Sequence, residues 1–307
     1  MNETNNSAGK MVGIEVSKQW LKAVCLNADG KLIDVYRYPI GGDQTLFSQL
    51  IKFIKDSETR FGDFKTLGIA VPGLVHHETK RVAFSTFIPE HQSIDFLGEM
   101  EAATNLKITI ENDANAAGFG EFTLGAGRGN RNIFYATIGT GIGGALILDG
   151  KIWHGATGFA GEFGQFAINS EGVKLEDVAS TANIVRRTKS RFQQDSTSSL
   201  SSLDEEEIGL KDVVSAAQEG DDFAILMLDR TGKYIGTALA GVINLLNVEK
   251  VILGGGIMQA ESLILEPIIE KAKELSFAPS FEATQIIGGE LSNNAAAIGV
   301  ALLSANT

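Results

Sequence analysis

Basic residues are in short supply: 26 Lys and Arg stand against 38 Asp and Glu, leaving a formal charge of -12. Nucleic-acid affinity rests on neutralising backbone phosphates with Lys and Arg, so this balance predicts no nucleic-acid partner. Cysteine is nearly absent. Cys25 stands alone, which excludes an intrachain disulfide, and together with the polar start from Met1 to Lys10 it predicts a cytoplasmic setting. Long apolar runs are missing too. The longest, Tyr234 to Val248, is broken by glycine and asparagine and falls short of the ~20 apolar residues a membrane span needs; it reads as a buried core helix, and no membrane association is expected. Histidine is limited to His76, His77, His91 and His154, which with one cysteine give no zinc-ligand spacing, so no metal site is predicted. Proline is scarce, at 5 residues against 35 glycines, a balance that favours tight turns over disorder.

A chain of 307 residues exceeds the usual reach of one hydrophobic core, so two domains are expected. Two segments, Val12 to Ile33 and Tyr135 to Ile152, share one pattern: strand, polar or glycine-rich turn, strand, then Asp-Gly-Lys. Asp29-Gly30 and Asp149-Gly150 lie between apolar runs, a hairpin signal of the type I′ kind, and each segment reads as a three-stranded meander. Helical spacing follows the first, with Leu46, Phe47, Leu50, Ile51 and Ile54 on one face of Thr45 to Thr59. Leu67 to Val71, Leu106 to Ile110 and Val251 to Leu253 read as strands covered by helices. The alternation predicts an α/β protein of two similar halves, divided near Ala116 to Gly120, with a last helix from Asn294 to Ser304. Gln193 to Glu207, rich in Ser, Thr, Gln and acids, is expected to form a mobile loop.

Four glycine-rich or acidic segments carry candidate chemistry. Gly139-Thr140-Gly141-Ile142-Gly143-Gly144 occupies the turn of the second meander, where bare backbone N–H groups suit phosphate oxygens; a merely tight hairpin is the other reading. Gly254-Gly255-Gly256 follows a strand and opens a helix, the place where nucleotides lie in α/β sheets. It does not fit the dinucleotide fingerprint. Glu111-Asn112-Asp113 leaves a strand and starts a helix, so Asp113 is either a helix N-cap or a general base. Glu162 after Gly161, and Glu176 in Leu175 to Ser180, are candidate acceptors of ligand hydroxyls, with solvated surface acids as the alternative.

Taken in order, Ala70-Val71-Pro72-Gly73-Leu74-Val75, Glu111 to Ala117, the Gly139 to Gly144 turn, Ala160-Gly161-Glu162 and Gly254 to Gly256 resemble the ROK family of sugar kinases and sugar-responsive repressors over nearly the whole chain. The resemblance implies two actin-like (ribonuclease H-like) domains with a ligand cleft between them: residues 1–117 joined by the C-terminal helix 294–307, and residues 118–293. It implies phosphorylation of a hexose or N-acetylhexosamine with ATP and Mg²⁺. Asp113 would be the base, Gly73, Asn112, Glu162, Gln165 and Glu176 would hold the sugar with it, and Glu15, Lys18, Gly139, Thr140, Gly141, Gly254, Gly255 and Gly256 would face ATP. Family members suggest a homodimer.

Two departures accompany the resemblance. Where the family's first meander carries an aspartate, two glycines and a threonine, this chain has Glu15, Ser17, Lys18 and Gln19, which crowds a turn meant to meet phosphate with bare backbone; Lys18 is at the same time a cation that could meet those phosphates. Gln165 replaces the family's metal-binding histidine, and Asn169 to Lys174 hold no cysteine, so no zinc is expected. The alternative function is therefore a sugar-binding regulatory protein without phosphoryl transfer. The residues ahead of Met11 are too few for a helix-turn-helix, so such a protein is expected to act through a protein partner.

Overall fold

The computed structural model describes residues 9–85, 87–88, 95–194 and 197–305. His91, residues 195–196 of the expected mobile loop and most of the polar start lie outside the described residues.

The first half contains β1 (Met11–Val16), β2 (Trp20–Leu26), β3 (Leu32–Pro39), α1 (Leu46–Phe61), β4 (Thr66–Val71), β5 (Leu74–Val75), β6 (Val82–Phe84), α2 (Phe96–Thr104), β7 (Lys107–Asn112) and α3 (Asp113–Leu124). Then come β8 (Ile133–Ile138), β9 (Ile142–Leu148), β10 (Lys151–Ile152), α4 (Leu175–Ala179), α5 (Thr181–Lys189), α6 (Leu210–Gln218) and α7 (Asp222–Leu246). The chain ends with β11 (Lys250–Gly254), α8 (Ser262–Leu275), α9 (Ala278–Glu282), β12 (Gln285–Gly288) and α10 (Ala295–Ala305).

Two five-stranded sheets have the same topology, β3-β2-β1-β4-β7 and β10-β9-β8-β11-β12. In each, the first three strands pair antiparallel and the remaining pairs are parallel. The two meanders read from the sequence are thus the leading edges of two similar sheets.

Alternation along the strands of the first sheet assigns its faces. Val12, Ile14, Val16, Leu67, Ile69 and Val71 turn into one core with Leu50, Phe53 and Ile54 of α1. On the opposite face lie Gly13 and Gly68, paired in register. They are glycines because α10 lies directly on them: a Cβ on Gly13 would sit 2.0 Å from the Ala297 carbonyl oxygen. Ala116, Ala117, Ala295, Ala296 and Val300 of α3 and α10 share a cluster with Tyr135, Ala145 and Ile147 of the second sheet. Helix α3 therefore crosses residues 116–120 unbroken and touches both sheets. The buried Glu121 near its end accepts N–H bonds from Ala126, Glu290 and Leu291, which fixes the loop that leads into α10.

Two local expectations are corrected. Only Asp149-Gly150 has positive φ at both residues, at 51° and 77°, as a type I′ turn requires. At Asp29-Gly30 only Gly30 does, because the Asn27 side chain accepts from the Asp29 and Lys31 N–H groups and shapes a wider turn with a register shift at Cys25/Leu26. Gly256 opens a short 3₁₀ turn, Gly256–Ala260, rather than an α-helix. Within the described part of 193–207, the Ser198 and Ser199 hydroxyls and the Ser199 N–H donate to the Asp221 carboxylate, and Leu200 is buried. Residues 234–246 of the long apolar run lie within the 25-residue helix α7, as expected of a core helix, and Asn247 caps its end. No helix of the described residues is long and apolar enough to cross a membrane.

Candidate functional site

Strand β7 delivers Glu111 and Asn112 to the carboxyl edge of the first sheet, where α3 begins. Asn112, not Asp113, is the N-cap: its Oδ1 accepts from the Asn115 N–H at 3.0 Å. Its Nδ2 donates to the Gly73 carbonyl at 2.9 Å and to Asp113 Oδ1 at 3.1 Å. One amide thus ties together three residues singled out from the sequence. Gly73 has φ of 137° and is packed against the Phe84 carbonyl, so it must be glycine. Asp113 is the first helical residue, and its Oδ1 accepts from the Ala114 N–H. Burial, and then the negative charges of Glu15 and Glu162, push its carboxyl up to about 7, where a carboxylate can take a proton at neutral pH.

Asp113 lines a cavity of about 280 Å³ between the two sheets, together with Glu15, Ser17, Lys22, Arg37, Thr137, Gly255 and Asn293. Register explains the charged wall. Glu15 pairs with Lys22, Lys22 with Arg37, Glu15 with Ala70 and Ala70 with Glu111, so all five share one level and one face of the first sheet. Lys22 Nζ meets Glu15 Oε2 at 2.7 Å and also donates to the Asn293 carbonyl. Glu15 is therefore held by a cation from its own sheet. Lys18 is exposed and is not among the cavity-lining residues.

The second sheet supplies the glycines. Gly255 has φ of 88°, and a Cβ there would meet the Ile138 carbonyl oxygen at 2.4 Å, so the backbone alone fits. A Cβ on Gly254 would strike the Tyr135 hydroxyl at 2.2 Å. Around Gly139 the space is open apart from the Gly141 carbonyl at 3.8 Å, and Thr140 and Gly141 are exposed. Glu176 Oε2 accepts from the Ile142 N–H at 2.7 Å, bracing this turn from behind. Burial, then the charge of Glu176, raise Glu162 above the usual carboxylate range. Gln165 lies further out, exposed, with its Oε1 accepting from Lys174 Nζ at 2.7 Å.

Sequence reasoning missed several groups. Lys22 and Arg37 line the cavity; the signal was a lysine inside the apolar run Trp20–Leu26. Glu111 stands in the sequence as part of a motif, with no role of its own. Its carboxylate receives His154 Nε2 at 2.8 Å, Asn115 Nδ2 at 3.1 Å and the Asn112 N–H at 3.0 Å. Burial opposes its charge, but the His154 contact and these hydrogen bonds outweigh burial and hold the carboxyl below its ordinary value. The His77 ring stacks on His154, with centroids 4.0 Å apart, and burial followed by the His154 charge lowers His77.

Two sheets of one topology, facing a cavity lined by a carboxylate at a helix start from one side and by Gly255 from the other, define a two-lobed α/β protein of the actin-like class. The ROK family pattern matches residues 11–307, and the chain belongs to that family. It is 30% identical to a glucokinase of Halalkalibacterium halodurans, over 94% of this chain and 92% of the relative. Among solved structures, a ROK family glucokinase from Streptomyces griseus in complex with glucose and AMPPNP superposes with a TM-score of 0.84 at 24% identity, covering 97% of this chain and 100% of that one. A ROK family transcriptional regulator, a homolog of the E. coli MLC protein, superposes with a TM-score of 0.86 at 25% identity, covering 98% and 79%.

Proposed function

We propose that this chain phosphorylates a hexose or N-acetylhexosamine, with ATP and Mg²⁺ as cofactors, in the cleft that Asp113 lines. The observation that carries this reading is the placement of Asp113: at the start of α3, bonded to Asn112 and lining the cavity, where burial and neighbouring charge push its carboxyl up to about 7. In it Asp113 removes the proton of the sugar hydroxyl as the phosphoryl group arrives, the step in which a positioned base is most effective near its own pKa. Asn112 holds Asp113 against Gly73, and Asn112, Gly73, Glu162, Gln165 and Glu176 accept or donate hydrogen bonds to the sugar. ATP supplies the phosphoryl group when bound, and Mg²⁺ offsets its charge.

The residues present fit the nucleotide on one side. Gly255 forms a cradle that any Cβ would fill, beside Gly254 and Gly256; the space around Gly139 is open, while a Cβ on Gly141 would meet Glu176 Oε2 at 2.9 Å. Exposed Lys18 lies on the first turn, where it can meet phosphate from solvent. The lobes close as units, residues 1–117 with the C-terminal helix and residues 118–293, and a homodimer is the expected assembly.

A second reading is favoured by the Glu15–Lys22 ion pair and by the side chains of Ser17, Lys18 and Gln19 at the first turn. In it the chain senses a sugar by closing on it, without transfer. A coupled assay of ADP release across a panel of hexoses, run beside thermal shifts with sugar alone and with MgATP alone, separates the two. Turnover with at least one sugar supports the kinase. Stabilisation by sugar with no turnover and no nucleotide shift supports the sensor.

A further inference from the structure

We propose that Lys22 and Arg37 form a side-chain anion site in this cavity, which grips the terminal phosphoryl groups of a triphosphate in place of a glycine backbone. The proposal rests on the reading above for the identity of the cleft, and adds how the donor is held there.

Three observations carry it. Lys22 and Arg37 are direct cross-strand partners on β2 and β3, and like charges placed opposite each other destabilise a strand pair. Glu15 neutralises only Lys22. The Arg37 side chain has no hydrogen bond or ion pair among the described residues, although the chain carries an excess of acid; the residue lines the cavity, and its guanidinium has its full set of donors unused. Lys22 has three N–H donors, two of them committed to Glu15 and the Asn293 carbonyl, which leaves one for a ligand. A planar guanidinium beside an ammonium matches phosphoryl oxygens, which take bidentate and point-charge donors together. The crowded turn at Ser17 is thereby compensated: the Ser17 hydroxyl is spent on the Trp20 carbonyl and accepts the Trp20 N–H, so side chains from the next two strands do the binding.

The test is calorimetric titration of the whole chain with inorganic tripolyphosphate and, separately, with MgATP, for the wild type, Arg37→Ala and Arg37→Lys. Arg37 is exposed, so its replacement leaves folding intact, and an unchanged thermal shift with sugar checks this. The expected result is a 10- to 100-fold weaker affinity for both polyanions in Arg37→Ala, with Arg37→Lys between, and a shallower salt dependence in Arg37→Ala. Equal loss for both ligands identifies the phosphoryl chain as the recognised group; loss for MgATP alone would overturn the assignment, because the determinant would then include the base. Equal affinities in wild type and Arg37→Ala, or no polyanion binding by the wild type, would also overturn it. Tripolyphosphate binding that depends on Arg37, in a chain that transfers phosphate to no hexose, would keep this site and remove the kinase reading. Turnover unaffected in Arg37→Ala would do the reverse.

Discussion

Replacing Asp113 by Asn should make the protein more stable and less active at once. The carboxyl has been raised from 3.8 to about 7 by burial and by the charges of Glu15 and Glu162. At about 1.4 kcal/mol for each tenfold change in proton affinity, the ionised form in the folded chain carries a penalty of about 4 kcal/mol. The cavity keeps part of the group in contact with solvent, and screening reduces the expected penalty to about 2 kcal/mol. The folded chain holds its proton up to about 7, whereas the unfolded chain releases it near 3.8. Wild-type stability from this group is therefore full below about 4, falls as pH rises to about 7 and is flat above. Asparagine keeps the hydrogen bond from the Ala114 N–H and carries no charge, so the variant lacks this loss. Denaturant titrations at pH 5 and pH 8 should show Asp113→Asn gaining at least about 1 kcal/mol more over wild type at pH 8 than at pH 5. Turnover in the hexose assay should fall by about 10² to 10⁴. A variant that is equally or less stable than wild type at both pH values would refute the account of why this carboxyl is displaced.

Two further perturbations test the scaffold around the site. Glu121→Ala removes a buried carboxylate that accepts from three backbone N–H groups, and should cost about 3 kcal/mol in denaturant unfolding while weakening ligand binding, because the loop bearing Ser292 and Asn293 loses its anchor. His154→Ala leaves the Glu111 charge buried with fewer donors and should cost about 2 to 4 kcal/mol, measured by the same titration; Glu111→Gln combined with it should recover part of the loss. His77 is lowered by burial and by His154, so wild-type stability from this ring is present above its ordinary value of 6.5 and falls as pH drops below it.

Much of this architecture was written in local pattern. Asp149-Gly150 announced its hairpin because both residues need positive φ, and the Leu46 to Ile54 face announced α1. The glycines at 73, 254 and 255 marked places where a Cβ meets a carbonyl or a hydroxyl. What stayed hidden depends on register and on distant partners. Lys22 is an isolated lysine in an apolar run until pairing sets it between Glu15 and Arg37. His154 lies far along the chain from Glu111, and only the approach of the two lobes brings them to 2.8 Å. Asp113 at a helix start reads as a cap by local rules; the chain gives that task to Asn112 instead, which frees the neighbouring carboxylate to face the cavity. The contact of Ser198 and Ser199 with the Asp221 carboxylate, supplied by the N-cap of α7, is one that composition does not reveal.

The most direct test of the central claim is the pH dependence of kcat/KM for the preferred hexose between pH 5.5 and 8.5. A base at Asp113 requires a rising limb centred near 7 in the wild type, with that limb absent from the residual rate of Asp113→Asn. A rate that is flat across this range in the wild type, or ADP release by no hexose at any pH, would contradict it.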